Sequence, residues 1–204
     1  MSKLAQTDYP IHPILQRRWS SRAFAERAVE PEKILSILEA ARWAASSLNE
    51  QPWSFIVATK ENPAEFAKML DCLNEGNQQW AKRAPVLMMV VTKQFLDRDH
   101  SPNWAAFHDI GLALGNFSAQ ATALDLHLCI MGSINRAKTG QVYHLPQGYE
   151  PVVAVALGYL GDPDSLTDEH HRQRQTEPRH RKALTEFVFS DDWGQVWPVV
   201  SKNE

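Results

Sequence analysis

Cysteine is scarce in this chain: Cys72 and Cys129 are the only two among 204 residues. They form no CxxC pair and no zinc-ligand spacing, which excludes a disulfide framework and a structural zinc site. Each sits in an apolar stretch, where a buried reduced thiol is expected. Glycine is sparse too, at nine residues. None belongs to a P-loop or a GxSxG elbow, and Gly158-Tyr159-Leu160-Gly161 lacks the Rossmann fingerprint. A dinucleotide cradled in a glycine-rich βα turn is therefore not expected. There is no HExxH, and His170, His171 and His180 lie in a charged run where solvation is the usual state, so no metal site is expected.

Long apolar runs are also missing. None approaches the roughly 18 residues of a spanning helix. The opening stretch MSKLAQTDYPIHPILQRR lacks the apolar centre of a secretion signal, so a cytoplasmic protein without a membrane partner is expected. The net charge of −3 gives no general pull toward nucleic acid or anionic lipid. The basic run from His170 to Lys182 includes Glu177 and no stacking aromatic, which suits a solvated face or a small anion site better than nucleic acid. Any anion site must then be a local cluster of arginines.

What remains is an ordinary globular composition, 44% hydrophobic and 22% charged. Residues 10–19 form a short helix leading into Arg17-Arg18. Pro31 opens a helix whose Ile34, Ile37, Leu38 and Ala41 share one face. Trp53 to Thr59 reads as a strand, and Asn62-Pro63 caps a helix carrying Phe66, Met69, Leu70 and Leu73. Residues 74–80 read as a polar turn ending at Trp80. Pro85 to Thr92 is apolar throughout, a central strand covered on both faces. Trp104 to Leu126 is the longest helix, and its Gly111 and Gly115 allow close packing inside the protein. Leu128 to Met131 is a short strand broken by Gly132-Ser133, Asn135 caps a helix that Pro146 stops, and Pro151 to Leu160 is a second buried strand. Residues 164–176 read as a polar loop. Strands separated by more numerous helices, with no repeat or linker, indicate one α+β domain over 1–204 with a mixed central sheet flanked by helices.

Two stretches carry the chemistry. Arg18-Trp19-Ser20-Ser21-Arg22 is either a solvated basic turn or an anion site, in which guanidinium forks and a hydroxyl donate to phosphate oxygens. Ser46-Ser47-Leu48-Asn49-Glu50-Gln51 packs hydroxyl, amide and carboxylate groups between a helix end and Pro52-Trp53. Such groups end helices and form turns, so a connector is the plain alternative.

Together these stretches resemble the flavin-binding signature of the nitroreductase family. Arg18, Ser20, Arg22 and Phe24 match its Arg-x-Ser-x-Arg/Lys pattern with the following aromatic. Residues 44–55 match Ala-Pro-Ser-Ser-x-Asn-x-Gln-Pro-Trp-x-Phe, with Ala45 in place of the proline, which makes the loop less rigid. Asn77 matches an asparagine that bonds the pyrimidine edge of the flavin. Met131-Gly132 aligns with a segment that offers a backbone N–H to flavin N5, although Ser133 replaces a common second glycine. Arg179 and Arg181 match basic residues that return to the phosphate.

The resemblance implies a nitroreductase-like fold, with a core over about 17–189 and the tail from 190 to 204 exchanged onto a partner subunit. It implies a homodimer with non-covalent FMN at the interface. The cofactor would be held by Arg18, Trp19, Ser20, Arg22, Ala45, Ser46, Ser47, Asn49, Asn77, Met131, Gly132, Arg179 and Arg181. NADH or NADPH would donate hydride and a nitroaromatic, quinone or flavin would accept electrons in a ping-pong cycle, with no catalytic side chain because FMN carries the chemistry. Trp80, Trp104 and Phe107 are candidates for the substrate pocket, with core packing the alternative for each. Two other readings stay open: an FMN carrier or sensor without turnover, and an interaction dimer that has kept the fold without the flavin.

Overall fold

The computed structural model describes residues 3–200. Four strands form its sheet: β1 (Trp53–Thr59), β2 (Val86–Lys93), β3 (His127–Met131) and β4 (Tyr149–Gly158), in spatial order β1-β2-β4-β3. Seven helices surround it: α1 (Pro13–Arg17), α2 (Pro31–Arg42), α3 (Pro63–Leu70), α4 (Glu75–Ala81), α5 (Ala106–Ala123), α6 (Arg136–Val142) and α7 (Glu169–Thr176). All three strand pairings are antiparallel. The mixed character expected from the sequence is confined to an isolated parallel bridge, Ser20↔Leu128 at the β3 edge.

The central position of β2 follows from its composition. Its residues from Val86 to Thr92 are all buried, and alternate side chains go to opposite faces. Leu87, Met89 and Val91 meet Ala154, Ala156, Phe66, Met69 and Trp80 on one side. Val86, Met88 and Val90 meet Val155, Leu157, Ile37, Ala113 and Phe117 on the other. The helix α2 turns Ile37 and Ala41 inward, as their spacing predicts, and packs against α5. Cys72 and Cys129 are both buried and free.

Helix starts follow local chemistry. The Asn62 and Asn135 side chains accept from Glu65 N and Lys138 N, and Pro31 and Pro63 occupy first-turn positions. Two segments differ from expectation. Residues 75–81 are the helix α4, anchored by the buried Trp80. The supposed loop 164–176 contains α7, capped by Asp168 accepting from His171 N at 3.0 Å. With only one buried residue, Gln175, α7 has no apolar period to reveal it.

Residues 20–25 run along the ends of β3 and β4. Ser21 N donates to Leu128 O, Ala25 N to Tyr159 O, and Gly161 N to Ala23 O. A side chain at Gly161 would begin 2.5 Å from Phe24 O and 2.8 Å from Ala25 N. Because both neighbours are backbone, Gly161→Ala should cost about 1–3 kcal/mol and lower the melting temperature by several degrees. A thermal melt that matches the unmodified protein would show that this packing gives way freely.

Candidate functional site

Most of the arginines singled out in the sequence meet at one cavity of about 620 Å³ beside the β3 edge. Its walls come from the segment after α1 (Arg18, Trp19, Ser20, Arg22), from β3 (Cys129, Ile130), and from the end of α7 and beyond (Arg174, Glu177, Pro178, Arg179, His180, Arg181), with Lys3 from the extended segment before α1. Six cations therefore face one carboxylate. Burial, and then the charge of Arg181, pulls the Arg18 pKa below its usual value. Burial, then Arg18 and Arg181, does the same to Arg179. Positive groups held this close favour an anion among them. Burial also pushes the Cys129 thiol up, against the opposing pull of Arg22 and Arg18.

The arginines divide by role. Arg179 donates from Nη1 to Arg18 O at 2.5 Å and from Nη2 to Gln16 O at 2.7 Å. Two of its nitrogens thus fasten the 16–18 backbone to the C-terminal segment, while its buried Nε, on the wall of the same cavity, has no hydrogen-bond partner among the described residues. Arg22 passes 5.8 Å from the Trp80 ring, and its buried Nε has no hydrogen-bond partner among the described residues. Arg181 is exposed at the rim, with Nη1 donating to His180 O. Trp19 is a buried wall, edge-on to His127.

The Ser/Asn loop stands elsewhere. Ala45, Ser46, Ser47 and Asn49 precede β1, while the arginine cavity adjoins β3, and these are opposite edges of the sheet. Three strand spacings separate the two edges, about 14 Å. The loop is tightly specified. Leu48, Asn49 and Gln51 all adopt positive φ (52°, 58° and 47°), a conformation that non-glycine residues adopt only where their surroundings impose it. Gln51 N donates to Ser46 Oγ at 3.1 Å, and Ser47 N donates to Asp109 Oδ2 at 2.9 Å. Asp109, buried at the start of α5, thus fixes the loop. Sequence reasoning missed it, since a lone acid in an alanine-rich helix carries no local signal.

Asn77 and Gly132 do come together, at a third place. Asn77 Nδ2 donates to Ser133 O at 3.2 Å, tying α4 to the turn after β3. Nothing stands within 4 Å of where a Gly132 side chain would begin. The Met131 side chain is core, which leaves the backbone of this turn as the available surface. Trp80 is 1% exposed and stacked on Phe24. It belongs to the core and offers no face to a substrate, so its place among the pocket candidates is withdrawn. Trp104 and Phe107, near the Ser47–Asp109 contact in sequence, are exposed.

A model of the nitroreductase family matches residues 15–159, a span that includes the Arg18–Arg22 segment, the Ser/Asn loop and the Gly132 turn. The chain belongs to the nitroreductase family. Among nitroreductase relatives, it is 34% identical over 225 aligned positions to the major NAD(P)H-flavin oxidoreductase of Aliivibrio fischeri, covering 87% of this chain and 98% of that protein. It is 26% identical over 161 positions to an FMN reductase [NAD(P)H] of Bacillus subtilis (strain 168), covering 70% of this chain and 63% of that one. A solved structure described as an oxidoreductase containing FMN superimposes with a TM-score of 0.87 at 32% identity, over 95% of this chain and 98% of the other. The nitroreductase match ends before α7, so the C-terminal wall of the cavity lies beyond it.

Proposed function

We propose that this protein is an FMN-dependent NAD(P)H oxidoreductase, and that the arginine cavity holds the FMN phosphate. The observation that carries this reading is the excess of cations around one cavity, with a buried and unpartnered Arg22 Nε on its wall. A phosphate dianion fits that donor set, because guanidinium forks and the Ser20 hydroxyl match its oxygens. Bound there, FMN would supply the redox chemistry, accepting hydride from NADH or NADPH at N5 and passing electrons to a nitroaromatic, quinone or free flavin. The chain's own residues bind and orient. Arg18, Arg22 and Arg181 hold the phosphate, Asn77 and the open backbone at Gly132 serve the ring edge, and no side chain need transfer a proton in the reductive half.

The separation of the Ser/Asn loop from the arginines supports a homodimer. A second copy that brings its own Ser46–Asn49 loop to the β3 edge would complete each site, giving two equivalent sites across a two-fold axis. The surface needed for this is present: Leu48, Trp104, Phe107 and Leu112 are exposed, and the α5 glycines Gly111 and Gly115 have open space where a side chain would stand. The helix expected to pack closely inside the protein leaves Gly111 and Gly115 uncovered within one chain. We read the chain as one domain with a core over about residues 17–189 and the segment from 190 to 204 as an arm that docks on the partner; residues 201–204 of that arm lie outside the described residues. The free thiols, and the absence among the described residues of a helix long and apolar enough to cross a membrane, fit a cytoplasmic location.

The test is direct. Heat should release FMN from the purified protein, and NADH or NADPH should bleach the bound flavin under anaerobic conditions. Donor and acceptor sharing one pocket should give parallel double-reciprocal lines. FAD as the main released species, or intersecting lines, would count against this reading. FMN that neither nucleotide reduces would make the protein a carrier or sensor.

A further inference from the structure

We propose that Gln175 is a positioning residue of the anion cavity, holding the Arg22 backbone so that its guanidinium faces the cofactor phosphate. This rests on the flavin reading above. Gln175 is 3% exposed although its helix is otherwise polar and open. Its Oε1 accepts from Arg22 N at 2.8 Å and from Ala23 N at 3.3 Å. Its Nε2 donates to Ser21 Oγ at 3.0 Å, while the Ser21 hydroxyl lies 3.0 Å from Ala23 O, to which it donates. The amide is therefore engaged at both ends, about 150 residues away in sequence from the groups it serves.

The need for such a clamp lies in the chain path. Ser20 bridges Leu128 on β3 and Phe24 bridges Leu160 beyond β4, so the chain changes strand partner between them. At the crossover the N–H groups of Arg22 and Ala23 face no strand carbonyl, and burying them unpaired would be costly. Gln175 takes the place of the missing strand. Its Oε1 fixes the Arg22 backbone, from which the side chain runs past Trp80 with Nε buried. A guanidinium held in place before the ligand arrives loses little freedom on binding, and that saving appears as affinity. Neighbouring Arg174 and Glu177 line the same cavity, so α7 contributes to its wall as well as to its support.

A merely structural glutamine would affect every ligand alike, whereas this role is specific to phosphate. FMN and riboflavin share the ring and ribityl chain, and only FMN carries the phosphate. Gln175→Met, which keeps the length but neither pairs with Arg22 N nor reaches Ser21 as a donor, should weaken FMN binding by roughly tenfold. Riboflavin affinity should change by less than about twofold, since no charged contact is lost. Gln175→Asn, one methylene shorter, should shift the FMN-to-riboflavin ratio the same way and serves if the methionine variant does not fold. In an Arg22→Ala background, Gln175→Met should leave that ratio unmoved, because the group it positions is gone. Equal weakening of both ligands, or an unchanged ratio in the single variant, would overturn the proposal. Equal affinity of the unmodified protein for FMN and riboflavin would instead overturn the phosphate-cavity reading, and this inference with it.

Discussion

Replacing Arg18 and Arg22 together with alanine should lower FMN affinity by on the order of a hundredfold, with the fold retained. Each charged donor to a phosphate contributes about 1.5–3 kcal/mol. The pair should fall short of twice that, because the cations repel one another. Arg18 already has its pKa lowered by burial and then by the charge of Arg181, so removing one cation eases the others. Among the described residues neither side chain forms a salt bridge, and the contact of Arg22 with the Trp80 ring is long at 5.8 Å, so the melting temperature of the apoprotein should move little. Arg179→Ala should behave differently. Its guanidinium fastens Arg18 O and Gln16 O, and its loss should lower stability and FMN affinity together. Flavin fluorescence titrations at two salt concentrations, alongside melts of each apoprotein, separate the two cases, since added salt weakens the phosphate term. Unchanged FMN affinity in the Arg18/Arg22 double variant would remove the phosphate from this cavity.

Ending the chain after Ser190 should abolish dimerisation at low micromolar concentration and release FMN with it. The segment removed carries Trp193, 94% exposed, and Trp197, 44% exposed. Among the described residues the segment turns back on the residues just before it, through the Phe189↔Val196 bridge, the contact of the Phe189 and Trp193 rings and a hydrogen bond from Trp197 N to Val188 O. Large aromatics gain about 1.5–3 kcal/mol each on burial, enough together to decide whether a dimer persists. An apolar cavity of about 730 Å³ lined by Val29, Ile34, Leu35, Leu38, Val57 and Val86 lies beside the edge strand β1, and it is a surface on which the proposed arm could bury them. Sedimentation velocity and the flavin absorbance of one sample measure both effects. A truncated protein that stays dimeric and fully yellow would show that the arm does not dock on the partner.

The elements that the sequence made legible are those whose signal is local. The unbroken apolar run of β2, the apolar face of α2 and the asparagine caps of α3 and α6 each depend on residues a few positions apart. Helices α4 and α7 were missed for the same reason: each is anchored mainly by a single large buried side chain, Trp80 or Gln175, whose partners lie far along the chain. The residue types of the anion site were legible too, because phosphate recognition needs guanidinium and hydroxyl donors wherever they sit.

Which donors remain available was decided only by the tertiary structure. Arg179 and Arg22 look alike in sequence, yet one donates from both terminal nitrogens to backbone carbonyls, while the other has its backbone N–H bound by a glutamine from the far end of the chain. Lys3 joins the cavity with no motif to mark it. The Ser/Asn loop and the arginines, a single signature when read along the chain, stand at opposite edges of the sheet. The sequence determined the kinds of groups and the order in which they occur. Their distances depend on strand order, and strand order is set by which apolar faces bury one another across the whole chain.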